Sequence, residues 1–409
     1  MFIGMSETME PLKYIMKNFD YDGTLQLYIH KKSHLPTTMN FDHDRNTFIL
    51  LDQRKLPYEL VSWTTSNWKD AATVGIKEMV VRGSQAIGCA AAYCYLLASN
   101  SYEGSLKNYF DFMKSSYEFI LNTRPTAVNL RWALDRMAFS VANSKNLVLE
   151  DIKEVVKKQA DTIFLEDMCI NTQMRENGLQ FIENGDVIFT HCNAGSLATS
   201  YGGSSLSILT EAYNNGKDLT AIVKETRPRS QGYKLTMWEL TRAGIPVIGV
   251  TDNMVSSSAL KYRATKVFTG ADRITKDGYV ANKVGTHDLA IITNHFQLPF
   301  YVAASYSTLD FYTDGSSIPI EVRDCSEIYD PYSCEIYVKK QIGELSQNAL
   351  DRWPPFGSTI HLYNPGFDVT PPSLIKKIIL DVGVYNPFDL SSLSEDIVRS
   401  KVQDIIQRS

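Results

Sequence analysis

Short apolar runs alternate with helix-like stretches along the second half of the chain. The runs have the length of buried strands and predict strands at 186–190, 219–223, 245–250, 266–269 and 300–303. Helical spacing fills most intervals and predicts helices at 204–215, 233–243, 255–263 and 285–296, and Lys276-Asp-Gly278 predicts a turn. Strands that alternate with helices indicate parallel βαβ units with right-handed crossovers. The pattern therefore predicts a Rossmann-like, doubly wound parallel sheet, although the GxGxxG motif of dinucleotide-binding proteins is absent.

The first half of the chain is dominated by helical spacing. Residues 1–45 are weakly patterned, and 41–46 are polar and turn-like. Strands are predicted at 47–51 and 60–63, and helices at 71–81, 84–98, 103–122, 126–142 and 149–179. We therefore expect a smaller, mainly helical N-terminal domain with a small β element at 1–180. A Rossmann-like catalytic domain is expected at 181–409, with an irregular insertion at 325–360.

Composition and charge exclude several classes of protein. The chain has 409 residues, enough for two domains, and its hydrophobic content of 44% rules out a wholly disordered chain. The net charge of −5 argues against a nucleic-acid partner, because such proteins present a large basic surface. The six cysteines form no CxxC pair and show no zinc-ligand spacing with histidine, so we expect reduced thiols and no metal.

The sequence also lacks the signals of secretion and of membrane insertion. Its N-terminus has no basic start followed by a long apolar core, and no apolar run reaches 18 residues. We therefore expect a cytoplasmic protein, for which a nuclear pool is possible, and no membrane partner.

Polar residues cluster where the predicted parallel strands end. The four loops in question are Thr190-His-Cys-Asn-Ala-Gly195, Glu225-Thr-Arg-Pro-Arg-Ser-Gln-Gly232, Thr251-Asp-Asn253 and Gly270-Ala-Asp-Arg273. Ligands of open α/β sheets bind beyond the carboxyl ends of the strands. The alternative is that loops after strands are polar in any case, but four such loops on one edge favour a ligand site.

Cys192 and Asp272 are candidates for acid and base chemistry. Cys192 is expected near a helix N-terminus, which would favour the thiolate; the alternative is a buried structural cysteine. Asp272 follows apolar and small residues, so partial burial would raise its pKa and suit proton transfer. The alternatives for Asp272 are a helix cap or an ion pair with Arg273. His191 is interpreted as orienting its loop, with a second base as the alternative.

Several cations lie in turns marked by glycine or proline. They are Arg82, Arg124, Arg227 and Lys283. Arginine beside free backbone N–H groups suits a phosphate. The alternative for each of them is a surface ion pair.

Seven motifs, in order between Leu50 and Leu374, resemble those of the methylthioribose-1-phosphate isomerase family. They are Val80-Val-Arg-Gly-Ser-Gln-Ala-Ile-Gly88, Arg124-Pro-Thr-Ala-Val-Asn-Leu130, Thr190-His-Cys-Asn-Ala-Gly-Ser-Leu-Ala-Thr199, Glu225-Thr-Arg-Pro-Arg-Ser-Gln-Gly232, Gly270-Ala-Asp-Arg-Ile274, Ala281-Asn-Lys-Val-Gly-Thr286 and Asn364-Pro-Gly-Phe-Asp-Val-Thr-Pro371. The wider family includes isomerases of ribose 1,5-bisphosphate and of 5-deoxyribose 1-phosphate. It also includes non-catalytic regulatory subunits of a translation-initiation exchange factor.

The resemblance implies a dimeric isomerase of a sugar phosphate, with its site between two domains and no metal or cofactor. It implies that Cys192 and Asp272 form the acid/base pair that converts 5-methylthioribose 1-phosphate to the ketose 1-phosphate. The residues implied in phosphate and sugar binding are Arg82, Gly83, Arg124, Gln231, Asn282 and Lys283.

One departure from the family bears on the substrate. The family usually has Ala-Pro where this chain has Ser84-Gln85, in a turn that the resemblance places against the sugar phosphate. Two rival functions follow: an isomerase of another pentose 1-phosphate, and a non-catalytic regulatory subunit. The presence of Cys192, Asp272 and the arginines favours an enzyme.

Overall fold

The computed structural model of the protein describes residues 17–329 and 361–408. Most of the insertion predicted at 325–360, and the first 16 residues, lie outside this part of the chain. Within the described ranges, no helix is both long enough and apolar enough to cross a membrane.

The N-terminal half begins with two small antiparallel sheets. Their strands are β1 (Phe19–Asp22), β2 (Leu27–His30), β3 (Met39–Asp42), β4 (Thr47–Leu51) and β5 (Ser62–Thr65). The strand predicted at 47–51 is confirmed, and the strand predicted at 60–63 begins two residues later. Strands β1 to β3 were not predicted, because each has only four residues. In β3 the register pairs Met39 with Leu50 and Phe41 with Phe48, which buries its apolar side chains against β4.

Four long helices form the rest of this half. They are α1 (Ser84–Asn100), α2 (Leu106–Leu121), α3 (Val128–Asn143) and α4 (Leu149–Gly178), and their predicted positions are confirmed to within three residues. The predicted helix at 71–81 ends early: a π-helix covers Ala71–Lys77, and Met79 takes a left-handed backbone with φ 65°. Helix α1 is buried on all faces, because small residues such as Ala90, Ala91 and Ala92 let neighbouring helices pack around it.

The second half contains a seven-stranded sheet and a smaller four-stranded sheet. In chain order the strands are β6 (Asp186–Thr190), β7 (Leu219–Lys224), β8 (Val247–Val250), β9 (Lys266–Thr269), β10 (Arg273–Thr275), β11 (Val280–Lys283), β12 (Phe300–Ala303), β13 (Leu309–Asp310), β14 (Phe367–Thr370), β15 (Lys377–Leu380) and β16 (Gly383–Tyr385). The longer helices are α5 (Ser205–Asn214), α6 (Met237–Arg242), α7 (Val255–Tyr262), α8 (Thr286–His295) and α9 (Glu395–Arg408), and a short helical turn covers Ser326–Tyr329.

The larger sheet confirms the predicted Rossmann-like topology. Its strands lie in the order β16-β15-β12-β9-β6-β7-β8, and all but β16 are parallel. Numbered along the chain, the six parallel strands have the order 3-2-1-4-5-6 of doubly wound dinucleotide-binding sheets. The chain turns from one side of β6 to the other between β8 and β9. The switch point of the sheet therefore lies between β6 and β9.

The smaller sheet has the strand order β13-β10-β11-β14 and was not predicted. The turn expected at 276–278 is present and joins β10 to β11 in an antiparallel hairpin, with Arg273 opposite Ala281. This hairpin follows directly after β9, so it covers the edge of the main sheet where ligands of such folds bind.

Candidate active site

Cys192 and Asp272 lie at the switch point of the main sheet. Cys192 is two residues beyond the end of β6, and Asp272 is three residues beyond the end of β9. Because β6 and β9 are neighbours, both residues reach the same edge, and both line one cavity of about 90 Å³. This is the place where open α/β sheets bind ligands.

The cavity takes its walls from both halves of the chain. Its lining residues are Met79, Arg82, Gly83, Ser84, Ile87, Arg124, Thr126, Ala127, Val128, Cys192, Arg229, Gln231, Asp272, Arg273, Ala281, Lys283, Ile318, Pro319, Arg323 and Phe367. Seven of the eight predicted site residues are among them. These seven residues are separated by up to 201 positions, from Arg82 to Lys283.

Asn282 is the predicted residue that does not line the cavity. It lies on β11 between Ala281 and Lys283, which do line it. Successive side chains of a strand point to opposite faces, so Asn282 is directed away from the cavity. Its Nδ2 donates a hydrogen bond to Thr286 Oγ1 at 3.1 Å. In this structure Asn282 fixes the start of α8.

A larger cavity of about 820 Å³ lies next to the first one. It runs between α3, α9 and residues 306–313, and it shares Thr126, Ala127, Val128 and Arg273 with the smaller cavity. Neither Cys192 nor Asp272 lines it. Three of its four arginines pair with carboxylates: Arg136 with Glu166, Arg273 with Asp310, and Arg399 with Glu395. The candidate active site is therefore the smaller cavity.

The backbone at Cys192 is held in a left-handed conformation, with φ 62°. Its N–H donates to Thr226 Oγ1 at 2.9 Å, and its carbonyl accepts a hydrogen bond from Thr236 Oγ1. Such backbone angles are uncommon outside glycine and often occur at functional sites. These two hydroxyl contacts fix the residue through its backbone and leave the thiol free to face the cavity.

Burial raises the pKa of the Cys192 thiol. The charges of Arg82 and Lys283 oppose this shift, and Asp272 adds to it. The sequence-based expectation of an environment that favours the thiolate is therefore wrong for this state of the protein. The element that follows Cys192 is a short 3-10 turn at Ser196–Ala198 rather than a long helix, so the expected helix dipole is not there.

Burial also raises the pKa of Asp272, as the sequence predicted. Arg82, Lys283 and Arg124 oppose the shift. The alternative of an ion pair with Arg273 is wrong, because Arg273 pairs with Asp310 instead. Asp272 donates its backbone N–H to the carbonyl of Ala281 at 2.9 Å, so the hairpin positions it while its carboxyl group faces the cavity.

Arg82 is positioned by a chain of buried polar groups. Its Nη1 donates to Asn193 Oδ1 at 2.6 Å and its Nη2 to the Asn193 carbonyl at 3.1 Å. Asn193 Nδ2 in turn donates to Glu239 Oε1 at 2.6 Å. Burial raises the pKa of Glu239 to about 7. Glu239 was not predicted from the sequence, because no residue near α6 indicates that Glu239 contacts the loop after β6.

His191 is buried behind Cys192 and agrees with the interpretation as an orienting residue. Its Nε2 lies 2.9 Å from the Val284 carbonyl, and its Nδ1 lies 3.3 Å from Thr226 Oγ1. Burial and the nearby Lys224 lower its pKa well below the usual value. A neutral imidazole of this kind ties the loop after β6 to the loop after β11.

Two further arginines of the cavity were not singled out from the sequence. Arg229 and Arg323 both line it, and both pair with Glu327. Arg227, which was a candidate cation, does not line the cavity. Its guanidinium donates instead to the carbonyls of Pro228 and Ile328 at 2.7 and 2.6 Å.

Gly83 and Ser84 bring the start of α1 against the cavity. Gly83 has φ 103°, and a Cβ on it would lie 2.3 Å from the Ala198 Cα, so only glycine fits. Ser84 lines the cavity, and its Oγ accepts a hydrogen bond from Asn129 Nδ2 at 2.6 Å.

Gln85 points away from the cavity into a buried polar cluster. Its Nε2 donates to Asp167 Oδ1 at 2.6 Å and to Asn171 Oδ1 at 3.0 Å. Asp167 also accepts from the Ser200 N–H at 2.7 Å, and burial raises its pKa to about 6. In this chain Ser84-Gln85 therefore ties α1 to α3, α4 and the loop before α5.

We expect Gln85→Leu to lower the stability of the protein by about 1–3 kcal/mol, because a buried carboxyl group would lose one of its donors. The Michaelis constant should change little, since Gln85 does not line the cavity. Chemical denaturation and steady-state kinetics measure the two effects. Gln180→Leu, on an exposed residue, is the matched control. An unchanged free energy of unfolding would show that Asp167 does not depend on Gln85.

No group of three or more His, Cys, Asp or Glu side chains in residues 17–329 and 361–408 is arranged to hold a metal ion. The polar groups of the cavity are mainly cations. The arrangement suits an anionic ligand, with a thiol and a carboxyl group beside it.

A 3-2-1-4-5-6 sheet with cations, a thiol and a carboxyl group at its switch point defines an α/β protein with a candidate site for a small anionic molecule. The sequence model described as "Initiation factor 2 subunit family" matches residues 80–387. The chain belongs to this family, which confirms the resemblance found in its motifs.

Its relatives include named isomerases. The chain is 39% identical to methylthioribose-1-phosphate isomerase 1 of Pseudothermotoga lettingae over 353 residues, which cover 86% of this chain and 95% of the relative. It is 41% identical to methylthioribose-1-phosphate isomerase of Carboxydothermus hydrogenoformans over 345 residues, which cover 84% of this chain and 94% of the relative.

Two solved structures with different functions are also similar. The 5-methylthioribose 1-phosphate isomerase from Pyrococcus horikoshii OT3 is 31% identical with a TM-score of 0.74, and the match covers 92% of this chain and 97% of that one. The translation initiation factor eIF-2B, subunit delta, from A. fulgidus is 33% identical with a TM-score of 0.72 and covers 89% and 99%.

Proposed function

We propose that the protein is an aldose–ketose isomerase that converts 5-methylthioribose 1-phosphate to 5-methylthioribulose 1-phosphate, a step of methionine salvage. The observation that carries the proposal is the shared cavity of Cys192 and Asp272, beside Arg82 and Lys283. The named isomerases among its relatives support the choice of substrate.

The charges of the cavity favour one phosphate group. Three lining arginines have carboxylate partners within ion-pair distance: Arg124 with Glu321, Arg229 with Glu327, and Arg323 with both. Arg273, also in the lining, pairs with Asp310. For Arg82 and Lys283, no carboxylate of the described residues lies that close. Two cations that have no carboxylate partner of their own suit one phosphate dianion.

The rest of the lining favours an uncharged substituent on the sugar. Met79, Ile87, Ile318, Pro319 and Phe367 give the cavity an apolar wall. A methylthio group can be buried against such a wall without losing hydrogen bonds to water.

In the proposed reaction one proton is shared within the acid/base pair. Transfer of the Cys192 proton to the Asp272 carboxylate gives an acid and a thiolate base. Asp272 protonates the ring oxygen, and the bond from that oxygen to C1 breaks. The Cys192 thiolate removes the proton from C2, which forms an enol. The Asp272 carboxylate then takes the proton of the C2 hydroxyl group, while the Cys192 thiol returns its proton to C1, which gives the ketose 1-phosphate.

Two features of the site support these roles. Its burial raises the pKa of Asp272, which keeps the carboxyl group available as an acid. Arg82 and Lys283 lower the pKa values of both members of the pair and so stabilise the thiolate when it forms. A hydride shift from C2 to C1 is the competing route. Reaction in deuterated water distinguishes them, because only proton transfer allows solvent deuterium to enter at C1.

A regulatory subunit without catalysis is the second candidate, favoured by the similarity to the solved subunit of the initiation factor. A single assay decides between these functions: the purified protein is incubated with the 1-phosphates of methylthioribose, 5-deoxyribose and ribose, and with ribose 1,5-bisphosphate. Turnover of methylthioribose 1-phosphate with the highest kcat/KM supports the proposal. Preference for another sugar phosphate would reassign the substrate, and no turnover on any would favour the regulatory role.

We further propose that the protein acts as a homodimer in the cytoplasm. The nucleus is the second candidate compartment. The motif resemblance supports this assembly. Sedimentation analysis of the purified protein tests the oligomeric state, and microscopy of the tagged chain in its own cells tests the compartment.

We expect Arg82→Ala and Arg124→Ala each to raise the Michaelis constant roughly ten- to a hundredfold, because each removes a charge-assisted hydrogen bond of about 1.5–3 kcal/mol to the phosphate. The effect of Arg82→Ala should be the larger, since Arg124 already has a carboxylate partner. Arg45→Ala, on a largely exposed side chain, is the control. Unchanged Michaelis constants in both variants would mean that the phosphate binds elsewhere.

A further inference from the structure

We propose that Glu327 determines the substrate specificity of this site by rejecting sugar phosphates that carry a second phosphate in place of an uncharged 5-substituent. The inference rests on the proposed function. It concerns a carboxylate that the sequence analysis did not single out and that acts through two arginines of the cavity wall.

Glu327 forms ion pairs with both Arg229 and Arg323. Arg323 donates from Nε to Glu327 Oε2 at 2.8 Å and from Nη2 to Oε1 at 2.6 Å, in the two-pronged geometry that arginine also uses for phosphate. Arg229 donates from Nη1 to the same Oε1 at 2.9 Å. The Glu327 side chain is 16% exposed and that of Arg323 is 10% exposed, so water screens this ion pair weakly, while Arg229 is 36% exposed.

The carboxylate is ionised throughout the physiological range. The hydrogen bonds and charges of Arg323 and Arg229 hold the pKa of Glu327 at about 2, against the opposing effect of its burial. Glu327 therefore behaves as a permanent built-in anion.

This cluster lies beside the apolar wall of the cavity. Arg323 Nη2 is 4.0 Å from Met79 Sδ, and Ile318 and Pro319 precede Arg323 on the same stretch of chain. With the 1-phosphate at Arg82 and Lys283, the far end of the pentose faces this wall. A methylthio group meets Met79 and Ile318 there, next to two arginines that already hold a carboxylate between them.

A second phosphate at that end would meet a different environment. It would lie against an ionised carboxylate, unless Glu327 released both arginines. Like charges placed side by side at a binding site strongly disfavour the wrong ligand. Without the charge of Glu327, Arg229 and Arg323 would instead form a ready second phosphate site.

The test is Glu327→Gln, which keeps the shape of the side chain and removes its charge. We expect the ratio of kcat/KM for ribose 1,5-bisphosphate to kcat/KM for methylthioribose 1-phosphate to rise at least about tenfold. The affinity of the same two ligands, measured by calorimetry, should change in the same direction. Glu183→Gln makes the same change of net charge on an 81% exposed side chain and should leave both ratios unchanged.

The outcomes separate the two proposals. Unchanged ratios in folded Glu327→Gln, or a loss of binding of both ligands alike, would overturn the role of Glu327. If the native protein turns over none of the sugar phosphates, the proposed function fails, while the binding ratio still tests Glu327.

A second variant covers the case in which Glu327→Gln does not fold. Glu321 lies 3.3 Å from Arg323 Nη1 and 3.7 Å from Arg124 Nη2, and its side chain is 25% exposed. Glu321→Gln should shift the ratios in the same direction but by less, because Arg323 stays bound to Glu327. Ratios that stay at the native values in Glu321→Gln would then count against the proposal.

Discussion

Cys192→Ser is expected to reduce turnover of methylthioribose 1-phosphate by roughly 10²–10⁴-fold, the usual contribution of a general acid or base. A serine hydroxyl group releases its proton far less readily than a thiol, so the proposed base at C2 would be lost. The fold should persist, because Thr226 and Thr236 hold this position through its backbone. Steady-state kinetics and thermal unfolding of the same preparation measure both effects.

Cys169→Ser is the matched control, since Cys169 lies on α4 and does not line the cavity. Alkylation with iodoacetamide, followed by mass spectrometry, gives an independent measurement. Substrate should protect Cys192 from labelling. Because burial raises the pKa of this thiol, its labelling rate in the free protein should keep rising with pH beyond the range of an ordinary thiol. Near-native turnover in Cys192→Ser would remove this residue from the mechanism.

Asp272→Asn is expected to lower turnover by a similar factor of roughly 10²–10⁴ while the Michaelis constant changes little. The amide keeps the shape of the carboxyl group but cannot give a proton to the ring oxygen. The N–H of residue 272 still bonds to the Ala281 carbonyl, so the loop should keep its path. An interaction needed only in the transition state has this kinetic signature.

A loop-holding role for Asp272 predicts the reverse result, a less stable protein that keeps most of its turnover. The melting temperature and the turnover number of the one variant separate the two roles. Asp218→Asn makes the same chemical change at an exposed position and controls for effects of charge. A destabilised but active Asp272→Asn protein would exclude the acid role.

The main sheet was predictable because its strands are buried apolar runs separated by whole helices. Strands β6 and β9 occur at the predicted residues, and the helices between the strands differ by a few positions at most. The hairpin β10–β11 escaped detection, because three- and four-residue strands show no periodicity of their own. Its turn at 276–278 was the part that carried a sequence signal.

The sequence predicted the residues of the candidate site that lie in local motifs. Cys192 and Asp272 were located by the ends of their strands, and the cations by their turns. Glu239 was missed, because its partner Asn193 lies 46 positions away. The pair of Glu327 with Arg323 is local, but its second partner, Arg229, lies 98 positions away. Ion pairs and hydrogen bonds between such distant residues depend on how the two halves of the chain pack. A short stretch of sequence does not indicate that packing.

Hydrogen bonds through Asn193 connect Glu239, a titratable group, to Arg82, which lies 157 positions away in sequence. Burial raises the pKa of Glu239 from its usual value of 4.5 to about 7 in the folded chain. The folded state therefore binds this proton more tightly than the unfolded state does. The free energy of unfolding accordingly rises as the pH falls from about 7 towards 4.5. However, Asn193 Nδ2 and the Ser196 N–H both donate hydrogen bonds to Glu239, and these two contacts favour its ionised form. A protonated Glu239 carboxyl group accepts the Asn193 Nδ2 hydrogen bond less well than the carboxylate does, and Asn193 in turn holds Arg82. We therefore expect the Michaelis constant to rise on the acid side of the pH profile through Arg82, separately from any change in turnover caused by Asp272.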